Sequence, residues 1–286
     1  MTENQRDSEE NSFDPEKTPF METGDPAGMK KRRSFNEDAA NYDKWRPGYP
    51  DGVFEEVVRY SGIGPGKRAL EIGIGTGQAT GSILKTGCAV TAVELGENLA
   101  AYAKQKFREY PNLTVQNLPF EEFDEPDGSF DLIYSATAFH WIPEEIGFPK
   151  VFRLLKSGGT LALWWNRPLP AGPEELSREI QLVYDRFRPE IARKPQEDKT
   201  SLYRKIRETV LSHGFTEPEF RLYRSERTFQ ADGYVQLLNT YSDHRTAAPE
   251  VKEAFESGIR RAILNHGDRI TISDSIDLYL ARKPRA

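Results

Sequence analysis

From residue 34 onward the apolar positions recur with two alternating periods. Strand-length runs at Arg68 to Ile72, Ala89 to Val93 ending at Glu94, Leu113 to Gln116, Phe130 to Ala136 and Leu161 to Trp165 are separated by helical patterns at Gln78 to Lys85, Asn98 to Glu109 and Pro143 to Leu155. Strand and helix alternating at this spacing imply right-handed βαβ units, hence a parallel sheet covered by helices on both faces. Ahead of this block, Ser34 with Glu37 reads as a capping box, and Val53, Phe54, Val57 and Val58 give a second helix an apolar face. Behind it, helices are expected at Glu174 to Arg188, Ser201 to His213, Tyr234 to Tyr241 and Val251 to Asn265, with an exposed loop at Arg193 to Lys199. Strands at Phe220 to Phe229 and Ile276 to Ala281 would extend the sheet to seven. The pattern predicts an α/β fold: a doubly wound, mostly parallel seven-stranded sheet with N-terminal helices and a C-terminal helical lid.

Residues 1–33 are different in kind. The first 25 hold eight acids against Arg6 and Lys17, and they carry few large apolar residues, so a disordered acidic tail is expected over 1–33. The basic run Lys30 to Arg33 reads as a solvated hinge. In the whole chain of 286 residues, 39 Lys and Arg face 45 Asp and Glu, a formal charge of −6; beyond the tail the charge is balanced, which gives no electrostatic case for nucleic acid. One cysteine, Cys88, leaves no intrachain disulfide and no thiolate-rich metal site, and no metal-ligand spacing appears. No apolar run is long enough to span a membrane and the N-terminus lacks a greasy leader, so a cytoplasmic protein is expected.

In an open α/β sheet the ligand sits at the carboxyl ends of the strands, and the first strand here runs into Gly73-Ile74-Gly75-Thr76-Gly77. Glycines there let the backbone approach a ligand and turn into a helix. Glu94, 17 residues after Gly77, closes the second strand where a carboxylate accepts ribose hydroxyls, so an adenosine-containing ligand is implied. A dinucleotide loop wants a glycine at position 78, which is Gln78, and Glu71 before the loop opposes a pyrophosphate while favouring a ligand that carries an ammonium and a sulfonium.

The segment Glu71 to Gly77 resembles the first motif of class I S-adenosylmethionine-dependent methyltransferases. Ala92-Val93-Glu94 resembles the second, Ser129 to Ile133 with Ala136 to Trp141 resembles the fourth-strand motif, and Leu154 to Gly159 the turn before the fifth strand. With Tyr42 to Pro50 and Leu278 to Arg282 these are similar to the small-molecule subgroup often labelled type 11. The resemblance implies a Rossmann-like methyltransferase fold, S-adenosyl-L-methionine as cofactor, and a domain over 34–286: an N-terminal cap at 34–62, a cofactor-binding core at 66–166, lid helices and a sixth strand at 170–266, and a terminal strand at 270–283. It implies cofactor contacts from Glu71 (methionyl amino group), Gly73, Gly75, Thr76, Gly77, Glu94 (ribose), Leu95, Ser135 and the adenine segment with Phe120 and Glu121, where Pro119 replaces the acid many relatives have.

Methyl transfer needs an acceptor lone pair in line with the carbon–sulfur bond, and a protonated acceptor needs a base. His140 and Tyr42 are the candidate catalytic residues; His140 capping the next helix or packing on Trp141 is the competing reading. Arg46 reads either as a clamp for an anionic acceptor or as a salt-bridge partner of Asp43. The sequence thus predicts an enzyme that methylates O, N or C of a small-molecule acceptor, with no nucleic-acid or membrane partner. A non-catalytic cofactor-binding scaffold of the same fold is the alternative, and a nicotinamide dehydrogenase is disfavoured by Glu71 and Gln78.

Overall fold

The computed structural model describes residues 20–22, 25–192, 199–245 and 247–285; most of the expected loop from Arg193 to Lys199 and residues 1–19 of the acidic tail lie outside them. Seven strands form one sheet: β1 (Arg68–Ile72), β2 (Ala89–Glu94), β3 (Leu113–Asn117), β4 (Phe130–Ala136), β5 (Leu155–Ala171), β6 (Thr216–Phe229) and β7 (Ile270–Arg282), in the order β3-β2-β1-β4-β5-β7-β6. The first five pair in parallel, and β7 lies antiparallel between β5 and β6. Strand order reverses between β1 and β4, which puts the ligand-binding crevice beyond their carboxyl ends.

The helices are α1 (Pro26–Ser34), α2 (Ala39–Trp45), α3 (Asp51–Ser61), α4 (Thr80–Leu84), α5 (Glu97–Lys106), α6 (Glu144–Leu154), α7 (Glu174–Phe187), α8 (Pro189–Ala192), α9 (Lys199–Ser212), α10 (Ala231–Leu238), α11 (Ser242–Arg245) and α12 (Pro249–Asn265). Alternate strand residues feed two cores. Leu70, Ile72, Ile133 and Leu161 pack on one face with Phe148 and Val151 of α6, while Ala69, Leu132, Tyr134 and Trp164 pack on the other with Val53, Phe54 and Val57 of α3. A third core joins α7, α10 and α12 through Ile180, Val235, Ile259 and Ile263.

The expected strand at Leu161 to Trp165 is the middle of a longer one. Beyond Ala136, β5 no longer pairs with β4, while β7 continues beside it as far as Ala171. The amide of Asn166 faces that vacated edge, where it donates to Thr137 Oγ1 at 3.2 Å. Pro168 and Pro170, two and four residues on, therefore lack their N–H on an edge with no strand to receive it, and the strand tolerates them.

Residues 20–22 and 25–33 correct the expectation of a disordered tail. Phe20 is buried, edge-on to Phe139 and Phe148 at 5.9 and 5.1 Å, and the Met21 amide donates to the His140 carbonyl at 2.9 Å. Helix α1 follows, tied by Arg32 to Glu121 and by Lys31 to Asp243 at 2.8 Å. One aromatic anchor plus charges matched to the walls offsets the ordering entropy that composition alone seemed to leave unopposed. The capping box is absent too: Ser34 ends α1 with its hydroxyl on Lys31 O, and Asp38 caps α2 by accepting from the Asn41 amide at 3.0 Å.

Candidate functional site

The turn after β1 sets the site. Gly73, Gly75 and Gly77 have φ of +74°, +58° and +87°, left-handed values that favour glycine. A Cβ at Gly73 would lie 2.5 Å from Ala138 Cβ, and one at Gly77 would lie 2.2 Å from the Phe107 ring. At Gly75 the nearest atom would be 3.6 Å away, on Tyr42, an ordinary contact distance, so of the three only this glycine has room for a Cβ. Thr76 and Gly77, expected against the cofactor, face the other way: Thr76 is buried with its hydroxyl accepting from Gln78 Nε2 and its carbonyl from Lys106 Nζ, and Gly77 makes room for Phe107.

Two carboxylates flank the turn, and both are buried. Glu94 at the tip of β2 accepts from the Gly75 amide with one oxygen and from the Gly96 amide with the other, each at 2.8 Å. Burial pushes its pKa up, and those two amides push it back down. Glu71 accepts from Thr80 Oγ1 at 2.7 Å and from Tyr134 OH at 2.8 Å, both on the same oxygen. Burial raises its pKa to about 7, against the two hydroxyl hydrogen bonds, so near neutrality it is about half protonated.

These groups border a cleft of about 1490 Å³ and a recess of about 40 Å³ that shares its walls. A small-molecule site is usually within about 300–1,000 Å³, so the cleft has room for two ligands side by side. Gly73, Gly75, Glu94, Leu95, Leu118 and Phe120 line one end of it. Glu71, Gly75, Gln78, Tyr42, Arg46 and Asn166 line the recess. Ser135 does not reach either: it is buried, with its hydroxyl donated to Ile72 O at 2.7 Å. Glu121 accepts from Arg32 with both oxygens and does not border the cleft.

Arg46 does not pair with Asp43, which instead accepts from Lys106 and from Tyr102. Its guanidinium lies 4.4 Å from the Tyr241 ring centroid and 5.0 Å from that of Tyr42, and donates to Thr240 O at 2.8 Å. Its Nε is buried without a hydrogen-bond partner. Asn166 presents the complementary case. Its Nδ2 donates to Asp274 at 2.9 Å, an acceptor-only group that fixes the amide's orientation, and its Oδ1 is buried and unpartnered. Beside it, Thr137 holds φ of +57°, a strained value for a β-branched residue, with its hydroxyl shared between Tyr49 OH and the Asn166 amide. Sequence reasoning did not single out Asn166, which no local motif marks, or Thr137, although Thr137 lies within the fourth-strand motif.

His140 borders the cleft, but not as a free base. The indole N–H of Trp165 donates to its Nδ1 at 3.0 Å. An indole nitrogen can only donate, so the neutral ring carries its hydrogen on Nε2 and has no lone pair left to offer. Burial, then the positive charges of Arg167 and Arg46, lower its pKa to about 4 and keep it neutral at physiological pH. The expected general base is therefore corrected to a hydrogen-bond donor. Tyr42 stands over Gly75 and packs edge-on to Phe35 at 6.1 Å. Among the described residues no group of three or more His, Cys, Asp and Glu is placed to hold a metal, and no helix is long and apolar enough to cross a membrane.

Comparison with known proteins places this geometry. A family model described as a methyltransferase domain matches residues 70–163. An uncharacterized methyltransferase of Schizosaccharomyces pombe is 25% identical over 254 residues, which cover 87% of this chain and 94% of that protein. A probable S-adenosylmethionine-dependent methyltransferase of Saccharomyces cerevisiae is 30% identical over 135 residues, 46% of each chain. Among solved structures, one assigned as a type II methyltransferase from Anaeromyxobacter dehalogenans shares the fold with a TM-score of 0.59 at 22% identity, over 84% of this chain and 99% of that one. The matched domain runs from β1 to β5 and so contains the glycine turn and both strand-tip carboxylates, and these matches support a class I S-adenosylmethionine-dependent methyltransferase with S-adenosylmethionine as its cofactor.

Proposed function

We propose that the enzyme transfers the methyl group to O, N or C of a small-molecule acceptor, and that the cofactor lies along the tips of β1 and β2 with its methionyl end in the recess. The observation that carries this reading is the placement of opposite charges around one small space. Glu71 and Arg46 border the same recess, which suits the ammonium and carboxylate of an α-amino acid. Asn166 Oδ1 supplies a further acceptor for the ammonium, and Gly75 borders both the recess and the cleft. Each oxygen of Glu94 keeps a lone pair beyond its amide bond, one for each ribose hydroxyl. Leu95, Leu99, Leu118 and Phe120 form the apolar wall for the adenine.

The rest of the cleft, between α1, α11 and the end of β5, has aromatic walls in Phe20, Phe35, Trp141 and Trp165 that suit a small acceptor. The chain's own contribution to the reaction is to orient the acceptor, exclude water with Phe20, Trp141 and Trp165, and leave the reacting atoms aligned. Titration calorimetry with S-adenosylhomocysteine tests the placement: Arg46→Gln and Glu94→Ala should both weaken binding while the fold, followed by circular dichroism, is retained. Wild-type affinity in both variants would remove it.

A further inference from the structure

The far end of the cleft is built on the sheet face opposite the recess. Side chains alternate along β5, so Trp165 and Arg167 point to one face while Asn166 points to the other. Trp165 fixes His140 on that first face, and Arg167 borders the cleft one step further along the strand. Phe20, Ile142 and Ile206 give the wall its apolar part, and Glu22 and Asp25 border the same cleft.

Among the described residues, one carboxylate serves two cations at this corner. Asp277 of β7, buried to 1% exposure, accepts from Arg167 Nε at 2.6 Å and lies 3.9 Å from Lys199 Nζ. Lys199 also donates to Ser275 Oγ at 2.5 Å. Arg167 is held through Nε, and its terminal nitrogens take no part in that pair. Next to it stands an imidazole that presents an N–H and has no lone pair to take a proton. An anion is the complement of a cation beside a fixed donor, and an acceptor that arrives already without its proton needs no base.

We propose, resting on the cofactor placement above, that the methyl acceptor is an apolar molecule bearing a carboxylate, held by the terminal nitrogens of Arg167 and the Nε2–H of His140, and that this carboxylate is the group methylated. A carboxylate oxygen forms the new O–CH₃ bond as the S–CH₃ bond breaks, and the electron pair of that bond stays on sulfur. The products are a neutral methyl ester and neutral S-adenosylhomocysteine, with no proton to dispose of. The ester no longer matches Arg167, which favours its departure.

The test uses the full chain, S-adenosylmethionine tritiated in the methyl group, and a yeast metabolite extract split by ion exchange into an organic-acid fraction and a neutral-plus-basic fraction. Label is expected in the organic-acid incubation, in a product from which alkali releases volatile methanol, as it does from a methyl ester. Arg167→Gln should raise the KM for that fraction at least tenfold, Arg167→Lys should recover part of the loss, and both should bind S-adenosylhomocysteine as the wild type does. Alkali-stable label, label confined to the neutral-plus-basic fraction, or unchanged KM in Arg167→Gln overturns the carboxylate assignment and leaves the methyltransferase reading standing. Bound S-adenosylhomocysteine with no label from either fraction also overturns it. Failure to bind S-adenosylhomocysteine at all sinks the cofactor placement instead.

Discussion

At the cofactor end of the cleft, Glu71 to Gly75 supply one turn of backbone, and Glu94 locks it to the next strand through two amides. At the acceptor end the walls come from segments far apart in sequence, the strap at residues 20–34, His140, the end of β5 and the lid around Tyr241, joined by side chains and ion pairs. Backbone geometry set by positive-φ glycines in a buried sheet is insensitive to side-chain drift. Walls made of side chains on separate elements change one at a time, so one cofactor frame can serve acceptors of many shapes.

The largest test of this contrast is Glu94→Ala, which removes a buried carboxylate and the ribose contacts together and frees two amides. S-adenosylhomocysteine binding by calorimetry should weaken by about 100-fold, the scale of two charge-assisted hydrogen bonds. His140→Phe addresses the other end: turnover should fall by about tenfold while S-adenosylhomocysteine affinity is kept, and no limb of the pH–rate profile should disappear, because the ring never served as a base. A vanished acidic limb would reinstate it as one.

Glu71 gives the next effect, and its sign is fixed by burial. In the empty protein its pKa stands at about 7, above its ordinary value of 4.5, so the protein without ligand loses stability as pH rises through that window. An ammonium in the recess favours the ionised form, so binding expels the remaining proton. S-adenosylhomocysteine affinity should therefore fall about tenfold from about pH 8 to about pH 6, and Glu71→Gln should bind more weakly but lose this dependence over the same range. The smallest effect is expected from the strap. Arg32→Ala removes a partly buried ion pair with Glu121 and should raise the KM for either substrate by about threefold, with high salt bringing the wild type to the same value.

What the sequence made legible follows the same division. The strands and helices of the parallel half are patterned by their own burial, so β1, β2 and β4 were readable nearly to the residue. The two buried carboxylates beside the glycine turn were findable because a turn and a strand end lie close together in sequence. Roles that depend on partners distant in the chain were not readable. Arg46 seemed to belong with Asp43, three residues away, until the fold gave Asp43 to Lys106 and Tyr102. His140 was read as a base because the indole that occupies its lone pair is 25 residues away. The strap was dismissed on composition, although one phenylalanine in a polar stretch, Phe20, was enough to anchor it. The prolines of β5 hid a strand whose free edge only the sheet order reveals.

The indole of Trp165 does more than fill space beside His140. Exchanging it for a phenyl ring would release Nδ1, so that the imidazole is free to swap tautomers and to accept as well as donate a hydrogen bond. A single step in evolution at this position would thus let the fold hold alcohols, phenols and amines through a hydrogen bond that they donate, without disturbing a residue that touches the adenosyl group.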